Sequence, residues 1–123
     1  MDARDWGTLG ELMTDDVVAE FGTGEMSGRD TVIAFIQSFL DNCGTTQHIL
    51  GNVIIDVDGD KASSEAYVAD MHLSKLPNNQ DTFRTLGNYS DSWVKQGDTW
   101  LIKKRLKDNR ATIGTMDVFA KPH

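Results

Sequence analysis

Thr45-Thr46-Gln47-His48-Ile49-Leu50-Gly51-Asn52-Val53-Ile54-Ile55-Asp56-Val57 is the stretch on which the fold turns. Its β-branched residues predict a long, largely buried strand, and Asp58-Gly59-Asp60 after it has the glycine and short polar side chains of a tight hairpin. Three more extended runs follow, approximately 61–75, 82–96 and 99–110, separated by Pro77-Asn78-Asn79 and Gln96-Gly97-Asp98. Four long runs joined by short polar turns predict an antiparallel meander. Within the first run His48 shares parity with Leu50, Asn52 and Ile54, while Ile49, Val53 and Ile55 fall on the opposite face, so both faces are apolar.

The residues before this run follow a different period. Trp6, Leu9, Leu12 and Met13 recur at helical spacing although Gly7 and Gly10 weaken the helix. Val17 to Phe21 reads as a short strand, and Gly22-Thr23-Gly24 as a turn without the spacing or the following Lys-Ser/Thr of a phosphate loop. From Arg29 to about Asn42, Val32, Phe35, Ile36, Phe39, Leu40 and Cys43 form one helical face, with Ser27-x-x-Asp30 as a shortened capping box before it. Helices first and strands afterwards predict an α+β fold, in which N-terminal helices cover a strongly curved, mixed or antiparallel sheet. Such a sheet closes into a cone around a ligand-sized pocket.

Length and composition bound the function. At 123 residues, with no apolar run of membrane-spanning length, the chain is expected to form a single domain over 1–123. A net charge of -7 disfavours nucleic acid and anionic membranes as partners, despite the local basic cluster Lys103, Lys104, Arg105, Lys107 and Arg110. One cysteine, Cys43, allows no internal disulfide and too few thiols for a zinc or iron–sulfur site, which fits a reducing compartment. Met1-Asp2-Ala3-Arg4-Asp5 lacks the basic-then-apolar layout of a signal peptide, so the cytoplasm is the expected location. Nothing in the sequence calls for a metal or an organic cofactor.

Against this background His48 stands out. An imidazole moves a proton near neutral pH with little help, which makes it a candidate general base; the alternative is a structural histidine bonded to a backbone carbonyl. Polar and aromatic groups also interrupt the later runs: Tyr67, Asp70 and His72 in one, Asn88, Tyr89, Asp91 and Trp93 in the next. Alternation alone leaves open whether Asp70 and Asp91 face inward or solvent. Tyr67, Asp70, Tyr89, Asp91 and Trp93, with Phe35 and Phe39 from the helix, are the candidate substrate contacts. The two phenylalanines also suit a core.

Taken in order, Met1-Asp2-Ala3-Arg4-Asp5-Trp6, Asp15-Asp16-Val17-Val18, Gly28-Arg29-Asp30, His48, Gly87-Asn88-Tyr89-x-Asp91-x-Trp93 and Gly97-x-x-Trp100-x-Ile102 resemble the SnoaL-like branch of the nuclear transport factor 2-like superfamily. The resemblance covers essentially the whole chain. It implies a helix-covered, cone-shaped sheet of the cystatin-like α+β barrel type, and a branch that includes scytalone dehydratase, bile acid dehydratase and hexachlorocyclohexane dehydrochlorinase. Carried over position by position, it implies Asp2 as the carboxylate that holds His48, and Arg105, five residues after Trp100, as the cation that stabilises developing negative charge. Five residues place Trp100 and Arg105 on opposite faces of a regular strand, so Arg105 turns inward only where the strand carries a bulge. Family members have one more helix ahead of the aspartate, so the chain is expected to lack the first part of that helix, with Asp70 or Asp91 as fallback partners of His48.

The resemblance therefore implies a cofactor-independent lyase or isomerase, dehydratase-like, dehydrochlorinase-like or ketosteroid isomerase-like, acting on a small hydrophobic cyclic or polyketide-like molecule. The other reading is a non-catalytic small-molecule-binding or assembly module of the same fold. Relatives associate through the outer sheet face, which implies a homodimer or homotrimer.

Overall fold

A computed structural model describes residues 1–75 and 81–120. Its order is α1 (Trp6–Glu11), β1 (Met13–Glu20), β2 (Glu25–Ser27), α2 (Arg29–Leu40), β3 (Thr46–Asp58), β4 (Lys61–Leu73), β5 (Thr82–Gln96), β6 (Thr99–Gly114) and a 3₁₀ turn, Met116–Phe119. The six strands form one sheet in the order β2-β1-β6-β5-β4-β3. All neighbours are antiparallel except β1 and β6, so the sheet is mixed, as the α+β reading expects. The four runs from residue 45 onward are β3 to β6; the expected Pro77-Asn78-Asn79 turn lies outside the described residues.

Three local expectations need correcting. The first strand begins at Met13, four residues before Val17, because Met13 pairs with Ile102 of β6 ahead of an irregularity in the β1–β6 register. Helix α1 ends at Glu11, and its N-cap is Asp5, whose carboxylate accepts from the Thr8 amide at 3.1 Å. The Ser27-x-x-Asp30 capping box does not form: Gly28 occupies the N-cap of α2 at φ 95° with no side-chain cap. That conformation favours glycine and turns the chain out of β2, with the Gly28 amide donating to the Val17 carbonyl at 2.8 Å.

Curvature comes from bulges. Along β6 the partner of Trp93 is Ile102 but that of Ser92 is Lys104, so Lys103 is an extra residue; Arg110 is another, between the partners of Leu86 and Gly87. At the second bulge a Cβ on Gly87 would lie 2.2 Å from the Asp108 carbonyl oxygen, so only glycine allows the strands to approach there. A further skip falls in β3 between Gly51 and Ile54, where Asn52 adopts φ 51°. The core sits where α2 crosses β1: Met13, Val17, Ala19 and Val32 are buried, with Leu9, Phe21, Met26, Ile33, Ile36 and Ile102 packed around them. Burying each such valine is worth about 1.5–3 kcal/mol. Strand β3, expected to be largely buried, is the opposite case: it is the edge of the sheet with β4 as its one neighbour, so Ile49, Leu50, Val53, Ile54, Ile55 and Val57 are all more than half exposed.

Candidate functional site

The concave face of the sheet, the second half of α2 and the 3₁₀ turn line an open cavity of about 260 Å³. Aromatic rings form a continuous part of its wall. Phe21 stacks on Phe35 at 6.0 Å, Phe35 meets Phe39 edge-on at 5.1 Å, and Phe39 meets Phe119 at 5.4 Å. Phe119 then contacts His72 and Phe83. This continuity follows from the helix period, which places Phe35 and Phe39 one turn apart on the face turned to the sheet.

His48 lines this cavity from β3. Its Nδ1 lies 2.5 Å from Asp2 Oδ1, and its backbone amide donates to Asp2 Oδ2 at 3.0 Å. The Thr46 hydroxyl donates to Asp2 Oδ1 at 2.9 Å. Burial pulls the Asp2 carboxyl upward, but the bonds from His48 and Thr46 outweigh it and hold it below the usual carboxylate range. An ionised Asp2 accepts a hydrogen bond from Nδ1–H, which leaves Nε2 as the nitrogen without a proton in that tautomer.

Asp2 is near the start of the chain, where few contacts ordinarily fix a side chain. Here Arg4 ties it down. Arg4 sits at φ 58°, its amide donating to the Met1 carbonyl. Its guanidinium donates to the carbonyls of Met1, Asp2, Leu40 and Gly44, and to Thr46 Oγ1 at 2.8 Å. The terminal segment is thereby fastened to the end of α2 and the start of β3. Arg4 was quoted in the motif but given no role; an arginine two residues after a candidate carboxylate was the available signal.

A second imidazole, also given no site role from sequence, stands beside the first. His72 on β4 is buried, and its ring lies perpendicular to that of His48 at 5.7 Å between centroids. Its Nδ1 is 3.0 Å from the Phe83 carbonyl oxygen, to which it donates. Burial holds the His72 pKa below its ordinary value, against the opposing pull of the Phe83 carbonyl and Asp70.

Other expected site residues separate into groups. Phe35, Phe39, His48 and Tyr89 line the cavity. Asp70 and Asp91 both face inward and are buried, yet neither lines the cavity or pairs with His48, because each is taken by a cation of β6. Asp91 holds Arg105 through two bonds of 2.8 Å. The guanidinium lies 3.9 Å from the centre of the Tyr89 ring. The bulge at Lys103 restores the parity that turns Arg105 inward, but the residue is spent on Asp91 and Tyr89 and does not reach the cavity lining. Asp70 accepts from Lys107 and from the Thr85 hydroxyl, each at 2.6 Å. Trp93 donates its indole N–H to Ser64 at 2.8 Å and is likewise absent from the lining. Tyr67 is corrected outright as a substrate contact: its odd position on β4 puts it on the outer face, half exposed and near Arg110.

Burial pushes the Tyr89 hydroxyl up to about 12, so it remains a neutral donor at the cavity wall. Among the described residues no group of three His, Cys, Asp or Glu side chains could hold a metal ion, and no helix is long and apolar enough to cross a membrane.

Comparison with known proteins places the fold. A family model described as a SnoaL-like domain matches residues 1–106. An uncharacterised protein of Mycobacterium tuberculosis is 29% identical over 109 residues, covering 87% of this chain and 74% of the relative. Among solved structures, a Novosphingobium aromaticivorans protein provisionally named a scytalone dehydratase superposes with a TM-score of 0.82 at 22% identity, covering 93% of this chain and 76% of that one. A type 2 hexachlorocyclohexane dehydrochlorinase superposes with a TM-score of 0.79 at 18% identity, covering 98% and 82%. At these identities the structural likeness is one of fold.

Proposed function

The chain belongs to the SnoaL-like domain family, and from that premise we propose that it is a small-molecule lyase or isomerase with His48 as its general base. The observation that carries this reading is the Asp2–His48 pair at the edge of an aromatic-walled cavity. Asp2 fixes the ring tautomer and stabilises the imidazolium that forms, so Nε2 can take a proton from a carbon beside a carbonyl or a leaving group. The aromatic part of the wall suits a hydrophobic cyclic ligand. At about 260 Å³ the cavity lies near the lower end of ligand-site volumes, which favours one or two rings over a larger scaffold.

Proton abstraction is common to dehydration, dehydrohalogenation, double-bond isomerisation and cyclisation, so the test begins with that step. Hydrogen–deuterium exchange at the α-carbon of cyclic ketones, followed by NMR in D₂O, reads it directly. His48→Gln is expected to abolish exchange that the native chain catalyses. Exchange that survives the substitution overturns the base assignment, and ligand binding without exchange favours the binding-module reading. We further propose self-association through the outer sheet face and β3, supported by the exposed Ile49, Ile54, Leu86 and Ile113. Light scattering that gives a monomer mass at micromolar concentration refutes it.

A further inference from the structure

Among the described residues two cations of β6 pair with carboxylates on the concave face, and of these two Lys107 opens onto the cavity and Arg105 does not. Arg105 gives two N–H groups to Asp91 and its plane to Tyr89, which leaves it behind the ring that the ligand meets. Lys107 lines the cavity. Its ammonium has three N–H donors. Among the described residues two are taken, by Asp70 Oδ2 at 2.6 Å and Thr85 Oγ1 at 3.0 Å. The third has no such acceptor.

The triangle is closed and rigid. The Thr85 hydroxyl donates to Asp70 Oδ2 while accepting from Lys107, and the Thr85 amide donates to Asp70 Oδ1 at 3.2 Å. The Asp70 side chain is wholly buried and that of Lys107 is 12% exposed. Burying such a pair costs desolvation that an apolar pair of similar volume avoids, so its presence under a ligand cavity points to a use beyond packing.

Register relates this cation to the proposed base. His48 on β3 is directly opposite Asp70 on β4, and Asp70 is directly opposite Thr85 on β5. Lys107 itself is opposite Tyr89, outside this row, but its ammonium is bonded to Asp70 and Thr85 within it, and with adjacent strands about 4.8 Å apart this brings it within roughly 10 Å of the imidazole. That is the span of a ring with an oxygen substituent.

We propose that Lys107 is the group that receives the substrate oxygen, and that the substrate is a cyclic ketone or phenol-like ring whose oxygen points to the β5–β6 floor. The assignment rests on the reading of His48 as base. In the step it describes, Nε2 of His48 takes the α-proton and the C–H pair becomes a carbon–carbon double bond. The carbonyl π pair moves to oxygen, and the resulting enolate accepts the free N–H of Lys107. Asp70 and Thr85 position the ammonium and keep it there before charge develops.

Nitrophenols of graded acidity test this, because each is an enolate-like oxyanion on a ring and its absorption distinguishes phenol from phenolate. The native chain is expected to bind phenolate at least about ten-fold more tightly than phenol, which lowers the bound probe's ionisation midpoint by about one pH unit. Lys107→Met removes the donor but strands Asp70, so the double variant Lys107→Met with Asp70→Asn is measured beside it. Both are expected to bind neutral phenol and to lose the phenolate preference. A native chain that binds no phenol, or shows no preference, overturns the proposal, as does a preference that survives in the double variant. Deuterium exchange on the same proteins keeps the two readings apart: phenolate preference without exchange refutes the base and leaves Lys107, whereas exchange without phenolate preference refutes Lys107 and leaves the base.

Discussion

His48 and His72 are the same residue on neighbouring strands, edge to face across 5.7 Å, and their surroundings prepare them for different work. His48 is held by a carboxylate from a distant segment of chain, at 2.5 Å; His72 donates to the backbone carbonyl of the strand beside it, and the carboxylate nearest it, Asp70, stands off at 3.5 Å and is bonded to Lys107 and Thr85. A carboxylate stabilises the imidazolium that proton abstraction creates. A carbonyl stabilises it far less, and burial disfavours it further, so His72 is kept neutral. What separates a base from a wall residue here is the partner, not the imidazole.

The largest break in this comparison is expected from His48→Gln, which should lower turnover by roughly 10²–10⁴-fold with folding unchanged, as steady-state kinetics and thermal melting can check. Asp2→Asn should come next, at about 10²-fold or more in kcat, because the amide no longer favours the productive tautomer. Arg4→Met should cost roughly 10–100-fold by loosening Asp2, mostly in kcat rather than KM, with partial rescue in Arg4→Lys. A KM effect alone would instead make Arg4 a cavity residue.

The smallest effect on turnover, under about ten-fold, is expected from His72→Phe, which keeps the ring packing against Phe119 and Phe83. Its signature is in stability. The folded pKa of His72 lies below the ordinary 6.5, so the unfolded chain binds the proton first and the stabilisation present above pH 6.5 is lost as pH falls through that window. Urea unfolding across pH 8 to 5 should show this slope in the native chain and a flatter one in His72→Phe. The variant should also be about 1–3 kcal/mol less stable at pH 8, because the Phe83 carbonyl loses its donor. An unchanged slope would mean that another group governs the acid side.

Much of the architecture was legible because it depends on local chemistry. The period-two runs after residue 45, the glycine-bearing turns and the apolar face from Val32 to Cys43 each state their structure within a few residues. The absent Ser27–Asp30 cap shows where local reading stops: a tertiary bond from Gly28 to Val17 set the geometry that the motif alone could not. The site was legible only in part. His48 stood out as a polar residue on an apolar strand, whereas His72 and Lys107 looked like ordinary alternation and a charged run.

Taken alone, the sequence determined the α+β class, the order of helices and strands, and a set of ionisable residues able to serve a small-ligand pocket. Which of those residues meet was decided by tertiary structure. The bulge at Lys103 in β6 set the parity of Arg105 and Lys107, register placed His48 opposite Asp70, and Arg4 fastened Asp2 to β3. The reason is physical: a shift of one residue reverses the face of every side chain beyond it, and such a shift arises from pairing with another strand.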